Sequence, residues 1–95
     1  MTNSYVYITT TQINGTLYVG ATGNLKNRVY HHRLENLNHF TNKHRVDRLV
    51  YYEIHLTPES AFAREKQLKK WNRSWKIKLI ETKNPSWKDL YQDFC

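Results

Sequence analysis

The sequence predicts an α+β domain, a three-stranded antiparallel sheet flanked by helices in the order β-β-α-β-α-α-α. Three observations carry that expectation. Two alternating segments, residues 5–10 and 16–21, flank Asn14-Gly15, a dipeptide that tolerates positive φ and favours a tight hairpin. Residues 48–56 hold Val50, Tyr51, Tyr52 and Ile54, a run of β-formers fit for a third strand. The remaining periodic stretches carry helix spacing and helix caps. With 95 residues there is room for one core, so residues 1–95 are expected to form a single domain.

In the first strand Val6 and Ile8 point one way, and Tyr5, Tyr7 and Thr9 the other. In the second, Leu17, Val19 and Ala21 share a face opposite Thr16, Tyr18 and Gly20. Tyr7 and Tyr18 therefore both oppose the aliphatic face of the hairpin, with the register left open. Asn24 is an N-cap for a helix over residues 25–35. Arg28 and His32, four apart, stack on one side of it and border its buried stripe. Residues 37–47 read as a polar loop carrying Lys43 and Arg45. Thr57-Pro58-Glu59 supplies an N-cap, a proline at the first helical position and an acid in the first turn. The helix it opens should run to Trp71, with Ala61, Phe62, Leu68 and Trp71 as its apolar members. Ser74 is read as the cap of a helix over residues 75–82, ended by Asn84-Pro85. Residues 86–94 read as a last short helix, and Trp71, Trp75 and Trp87 as core.

One residue breaks the pattern. Glu65 falls inside the apolar arc of its helix, between Phe62 and Leu68, where a carboxylate is costly unless paired or holding a cation. Lys69 is the only basic residue spaced to pair with it, and it points further outward.

Composition narrows the function classes. Fifteen Lys and Arg against eight Asp and Glu give a net charge of +7, which favours a polyanionic partner. The single cysteine, Cys95, excludes an internal disulfide and a zinc ribbon and fits a reducing compartment. No apolar run approaches the roughly 20 residues a bilayer span needs, and the Met-Thr-Asn-Ser start has no signal-peptide character. No membrane partner and a cytoplasmic location are expected.

Taken together, the anomalies form a chemical set. Tyr7 and Tyr18 offer phenols, Arg28 a bidentate fork for phosphate, and His32 a proton acceptor near neutral pH. Glu65 is a half-buried acid suited to a metal, and Mg²⁺ (or Mn²⁺) accepts one carboxylate with waters in its other positions. Lys26, Lys43, Arg45, Lys66, Lys69, Lys70 and Arg73 surround them as candidate nucleic-acid contacts. A cation, a proton acceptor and a metal-binding carboxylate suffice to hydrolyse a phosphodiester. Each residue alone also has a plain structural reading: tyrosines as strand formers, Arg28 and His32 as surface residues, the lysine run as a solvated helix face. Asn84 reads as a turn former before proline or as a group supporting the site, the turn being favoured.

The pair Tyr5-Val6-Tyr7 and Tyr18-Val19-Gly20 resembles the two signature tripeptides of the GIY-YIG nuclease superfamily, with Tyr5 where the signature has glycine. Residues 25–28, His32, 63–71 and 84–90 are similar, in order and spacing, to the small stand-alone branch of that family. The resemblance implies metal-dependent endonucleolytic cleavage of DNA, with structured or damaged DNA and DNA repair in view and RNA as the other candidate substrate. It implies that Tyr7 or Tyr18 activates water, Arg28 binds the scissile phosphate, Glu65 holds one divalent metal, and His32 stands one turn after the arginine. Gly20 and Asn84 are carried over as supporting residues. The competing reading is a non-catalytic nucleic-acid-binding module that retains the fold, and the oligomeric state is left open.

Overall fold

The computed structural model describes residues 3–11, 15–37 and 48–94. Strands β1 (Ser4–Thr10), β2 (Leu17–Thr22) and β3 (Arg48–His55) form one antiparallel sheet in the order β2-β1-β3. Helix α1 (Leu25–Leu37) separates β2 from β3, and α2 (Pro58–Lys70) and α3 (Arg73–Lys83) follow. A 3₁₀ turn, Leu90–Phe94, ends the described chain. This is the expected α+β architecture. Asn14 and residues 38–47, with Lys43 and Arg45, lie outside the described residues.

The register fixes what alternation left open. Tyr7 pairs with Gly20 of β2 and Tyr52 of β3, and Thr9 pairs with Tyr18. Side chains directly opposite share a face, so Tyr5, Tyr7, Tyr18, Gly20 and Tyr52 lie on one side. Helix α1 covers that side through Leu25 and Val29, which cluster with Tyr7 and Leu49. The other side carries Val6, Ile8, Leu17, Val19 and Ala21. Helices α2 and α3 cover it through Ala61, Leu68 and Ile80. The sheet is thus sandwiched, α1 on one face, α2 and α3 on the other.

A register shift between Ile8 and Thr9 inserts an extra residue on β3. It lets the consecutive Val50 and Tyr51 enter the same cluster, as a bulge does. The bulge also leaves backbone groups to be satisfied from outside the ladder. Asn84, the C-cap of α3, donates from Nδ2 to the Val50 carbonyl at 3.0 Å and to the Lys88 carbonyl at 2.8 Å, and accepts from the Lys88 amide. Asp89 accepts from the Leu49 amide at 3.2 Å. Asn84 is therefore a clamp between α3, the bulged strand and the C-terminal segment.

Caps explain the helix starts. Asn24 Oδ1 accepts from the Asn27 amide, and Thr57 Oγ1 from the Ser60 amide. The cap of α3 is Asn72, which takes the Trp75 amide at 2.9 Å, and not Ser74, which instead donates its hydroxyl to Asn72. Asparagine is the better cap here because its planar side chain spans to the third amide while serine is already inside the first turn. The expected helix over 86–94 is also corrected. Only Leu90–Phe94 is helical, because Trp87 sits in the left-handed region at φ 57°.

Candidate active site

Tyr7 is only 3% exposed. Its ring lies across the backbone of Gly20, the residue opposite it. A Cβ at position 20 would stand 2.5 Å from both Cζ and Oη of Tyr7. No side chain other than hydrogen leaves that ring where it is, which is the physical reason for glycine in the second tripeptide. With the ring flat over β2, Oη reaches α1 and accepts a hydrogen bond from Arg28 Nε at 3.3 Å. Arg28 is on the exposed side of α1, one turn after the Asn24 cap, and its backbone amide donates to Asn24. With Nε engaged by Tyr7, the exposed guanidinium still carries its two terminal nitrogens as a fork, the geometry that takes two oxygens of one phosphate. Tyr18 lies diagonally from Tyr7 on the same face and is 49% exposed.

Glu65 keeps its anomalous position. Its side chain is 13% exposed, and it lies on the line Ala61–Glu65–Leu68 that faces the sheet. Phe62, expected in that stripe, is instead 53% exposed with the Lys66 ammonium 4.5 Å above its ring. Among the described residues the ion partner of Glu65 is Lys69, Nζ to Oε2 at 3.5 Å. The i, i+4 pairing therefore does form, although Lys69 points outward on the wheel, because a long lysine stem can fold back along its helix. Glu65 comes from the layer opposite α1.

These features have a counterpart among known proteins. A family model described as the GIY-YIG catalytic domain matches residues 3–78. The chain belongs to the GIY-YIG family. It is 35% identical over 81 residues to UPF0213 protein SH2523 of Staphylococcus haemolyticus, covering 85% of this chain and 98% of the relative. It is 32% identical over 80 residues to UPF0213 protein SSP2268 of Staphylococcus saprophyticus, covering 84% and 96%. The solution NMR structure of UPF0213 protein BH0048 from Bacillus halodurans superposes with a TM-score of 0.58 at 26% identity, covering 92% of each chain. Nuclease-type chemistry on a nucleic-acid substrate is what a GIY-YIG catalytic domain implies, and nucleases of this family are generally dependent on a divalent metal.

Within this GIY-YIG domain the structure sets Gly20 and Arg28 each against Tyr7, with Tyr18 diagonal to Tyr7 on the same face. His32 follows one turn later on α1, its side chain outside the described residues. Of the expected nucleic-acid contacts, Lys26, Lys66, Lys69 and Lys70 are exposed. Arg73 is exposed too, but it donates from Nη2 to the Gly15 carbonyl at 2.7 Å, tying α3 to the hairpin.

Sequence reasoning missed a polar network beside Glu65. Glu53 accepts from Arg64 through Nε and Nη2 at 3.1–3.2 Å, from the Tyr51 hydroxyl, and bonds His55 Nε2 at 3.1 Å. Arg64 also donates to Gln67 Oε1 at 2.6 Å and lies 5.2 Å over the Trp71 ring. The signal was strand parity: Tyr51, Glu53 and His55 share the inward face of β3, so an acid there needs partners. Burial pushes the Glu53 carboxyl up, but bonds from Arg64, Tyr51 and His55 outweigh it and hold it below the usual range. Burial first, then the bond to Glu53, pushes the Tyr51 phenol up. The network pins α2 to β3 one residue from Glu65.

A lowered carboxyl stabilises the fold above its unfolded value, about 4.5 here, and that contribution is lost as pH falls through the lower folded value. Glu53→Gln is therefore expected to melt below wild type at neutral pH and to show a flatter fall in Tm from about pH 5 to 3. Circular-dichroism melts across that range check it. Parallel acid limbs would remove Glu53 from the linkage.

Proposed function

We propose that this chain is a divalent-metal-dependent endonuclease that hydrolyses phosphodiester bonds of DNA. The observation that carries the reading is the Tyr7–Arg28 hydrogen bond across Gly20, which aims a guanidinium fork outward from a catalytic domain of nuclease type. Arg28 grips the scissile phosphate and stabilises the charge that builds on its oxygens. Tyr7, buried and bonded to Arg28, positions that fork. Tyr18, half exposed on the same face, is the phenol able to orient the attacking water. His32 is assigned to proton transfer at the same end of α1.

Glu65 fits a metal ligand of limited strength. Its carboxylate is nearly buried and, among the described residues, is held by a long ion pair to Lys69, which leaves lone pairs for a metal. Among the described residues no group of three or more His, Cys, Asp and Glu could enclose an ion. A single carboxylate with waters and phosphate oxygens suits Mg²⁺ or Mn²⁺. When bound, the ion supplies Lewis-acid polarisation of the phosphate and a more acidic water. Because Glu65 and Arg28 come from opposite layers, a substrate touching both lies at the β2 rim, the edge strand that α2 also packs on.

The test is a panel of nicked, branched, damaged and single-stranded DNAs, with matched RNAs, incubated with the full chain and Mg²⁺ or Mn²⁺. Wild type is expected to nick at least one structured DNA. Glu65→Ala is expected to lose that nicking by a factor of 10² or more while anisotropy shows binding retained. Wild type that binds the panel but cuts none of it makes the chain a nucleic-acid-binding module on a nuclease fold.

A further inference from the structure

Trp75 does not join the core. It is 55% exposed on α3, whereas Trp87 is 1% exposed. Its ring meets that of Trp71 edge-on, with centroids 5.8 Å apart and planes at 86°. Trp71 is braced from α2 by the Arg64 guanidinium. The two indoles form the corner of an open groove of about 290 Å³, completed by Lys78, Leu79 and Thr82. Trp75 is exposed not singly but beside a second indole and an apolar groove, and a contiguous apolar surface of this kind marks an interaction site.

Charge selects the occupant. From Lys66 to Lys78 the sequence holds six basic residues and no acidic one: Lys66, Lys69, Lys70, Arg73, Lys76 and Lys78. The groove itself is mostly apolar with a lysine at its rim. An apolar corner in which one indole offers its face and the other its edge, with the Lys78 ammonium at the rim, matches a nucleobase attached to its phosphate. It does not match a duplex, whose bases are stacked away. The volume is at the small end for a ligand cleft and suits one or two planar rings.

We propose that the Trp71–Trp75 groove is a stacking site for an unpaired base of a single strand, with Lys78 on the adjoining phosphate. This rests on the nucleic-acid reading above and deepens it: the substrate class becomes DNA with a single-stranded segment next to the cleaved bond. The groove lies on the α2–α3 face and Arg28 on the α1 face. A strand therefore passes the β2 rim to touch both.

The experiment uses the full chain without divalent metal, so that nothing is cut. Binding of a labelled oligo-dT and of a blunt duplex is measured by anisotropy at fixed salt. Trp75→Ala is expected to weaken oligo-dT binding roughly 5- to 150-fold, with duplex binding changed little. Trp75→Phe should restore most of the loss, and Lys78→Ala should lower the salt slope for oligo-dT by about one. An unchanged Tm for Trp75→Ala separates binding from folding. If Trp75→Ala binds oligo-dT like wild type while wild type still nicks DNA, the stacking site is wrong and the nuclease reading stands. If wild type neither binds nor cuts any nucleic acid, both fall. If the variant changes only self-association in sedimentation, the groove belongs to a second copy and the proposal is overturned.

Discussion

Arg28→Ala is expected to lower the single-turnover nicking rate by 10²- to 10³-fold, about 3–4 kcal/mol of transition-state stabilisation. Apparent affinity for DNA should change far less. The asymmetry follows from where the guanidinium points. Nε is spent on Tyr7 Oη at 3.3 Å, so the side chain arrives with its fork already oriented, and no rotamer has to be frozen as charge builds on the phosphate. The same geometry makes Arg28→Lys a poor rescue. Lysine keeps the charge but loses both the bond to Tyr7 and the bidentate fork. Tyr7→Phe should fall between wild type and Arg28→Ala, because it frees the arginine without removing it. Rates for the three variants on one nicked substrate, with Mg²⁺ saturating, check the order. Arg28→Lys cutting at the wild-type rate would mean that charge alone matters and that the contact over Gly20 is structural.

Much of this site could be read before any coordinates, for definite reasons. Alternation with period two placed Tyr7, Tyr18 and Gly20 on one face, and the Thr57-Pro58 start put Glu65 in the buried arc of α2. Those are local rules, and each is satisfied within one element. The contact that gives the site its shape was not local. Tyr7 reaches Arg28 only because Tyr7 pairs with Gly20, and the register of a hairpin is set by its turn and by packing between strands. Glu53 and Arg64 are eleven residues apart in different elements, so their pairing carried no spacing signal. Trp75 departs from the expected core for a similar reason. Tryptophan is a large apolar residue, but α3 turns Ile80 inward and leaves Trp75 to solvent. At the C-terminus, apolar spacing suggested a helix, and the left-handed Trp87 interrupts it.

Trp87→Ala is expected to be the most destabilising single change outside the site, at about 3–5 kcal/mol. The ring is 1% exposed among Ile8, Val50, Tyr51 and Ile80, and its Nε1 donates to Glu81 Oε2 at 2.8 Å. Truncation would open a cavity under the bulged strand and leave the Glu81 carboxylate without that donor. For a domain of this size each kcal/mol shifts Tm by roughly 4–8 °C, so a drop of at least about 12 °C should appear in a thermal melt. Trp75→Ala, by contrast, should stay within about 0.5 kcal/mol of wild type, which separates the two tryptophans by measurement. The backbone supplies a further check. At φ 57° an L-residue is strained and glycine is not. At an ordinary position glycine is less stable than alanine, because its unfolded chain is freer. Here the order should reverse, with Trp87→Gly at or above the Tm of Trp87→Ala. A lower Tm for the glycine variant would show that the left-handed turn is held without strain. Its stability would then come from Asn84, whose carbonyl accepts the Trp87 amide and whose Oδ1 accepts that of Lys88, rather than from the indole wedged beneath it.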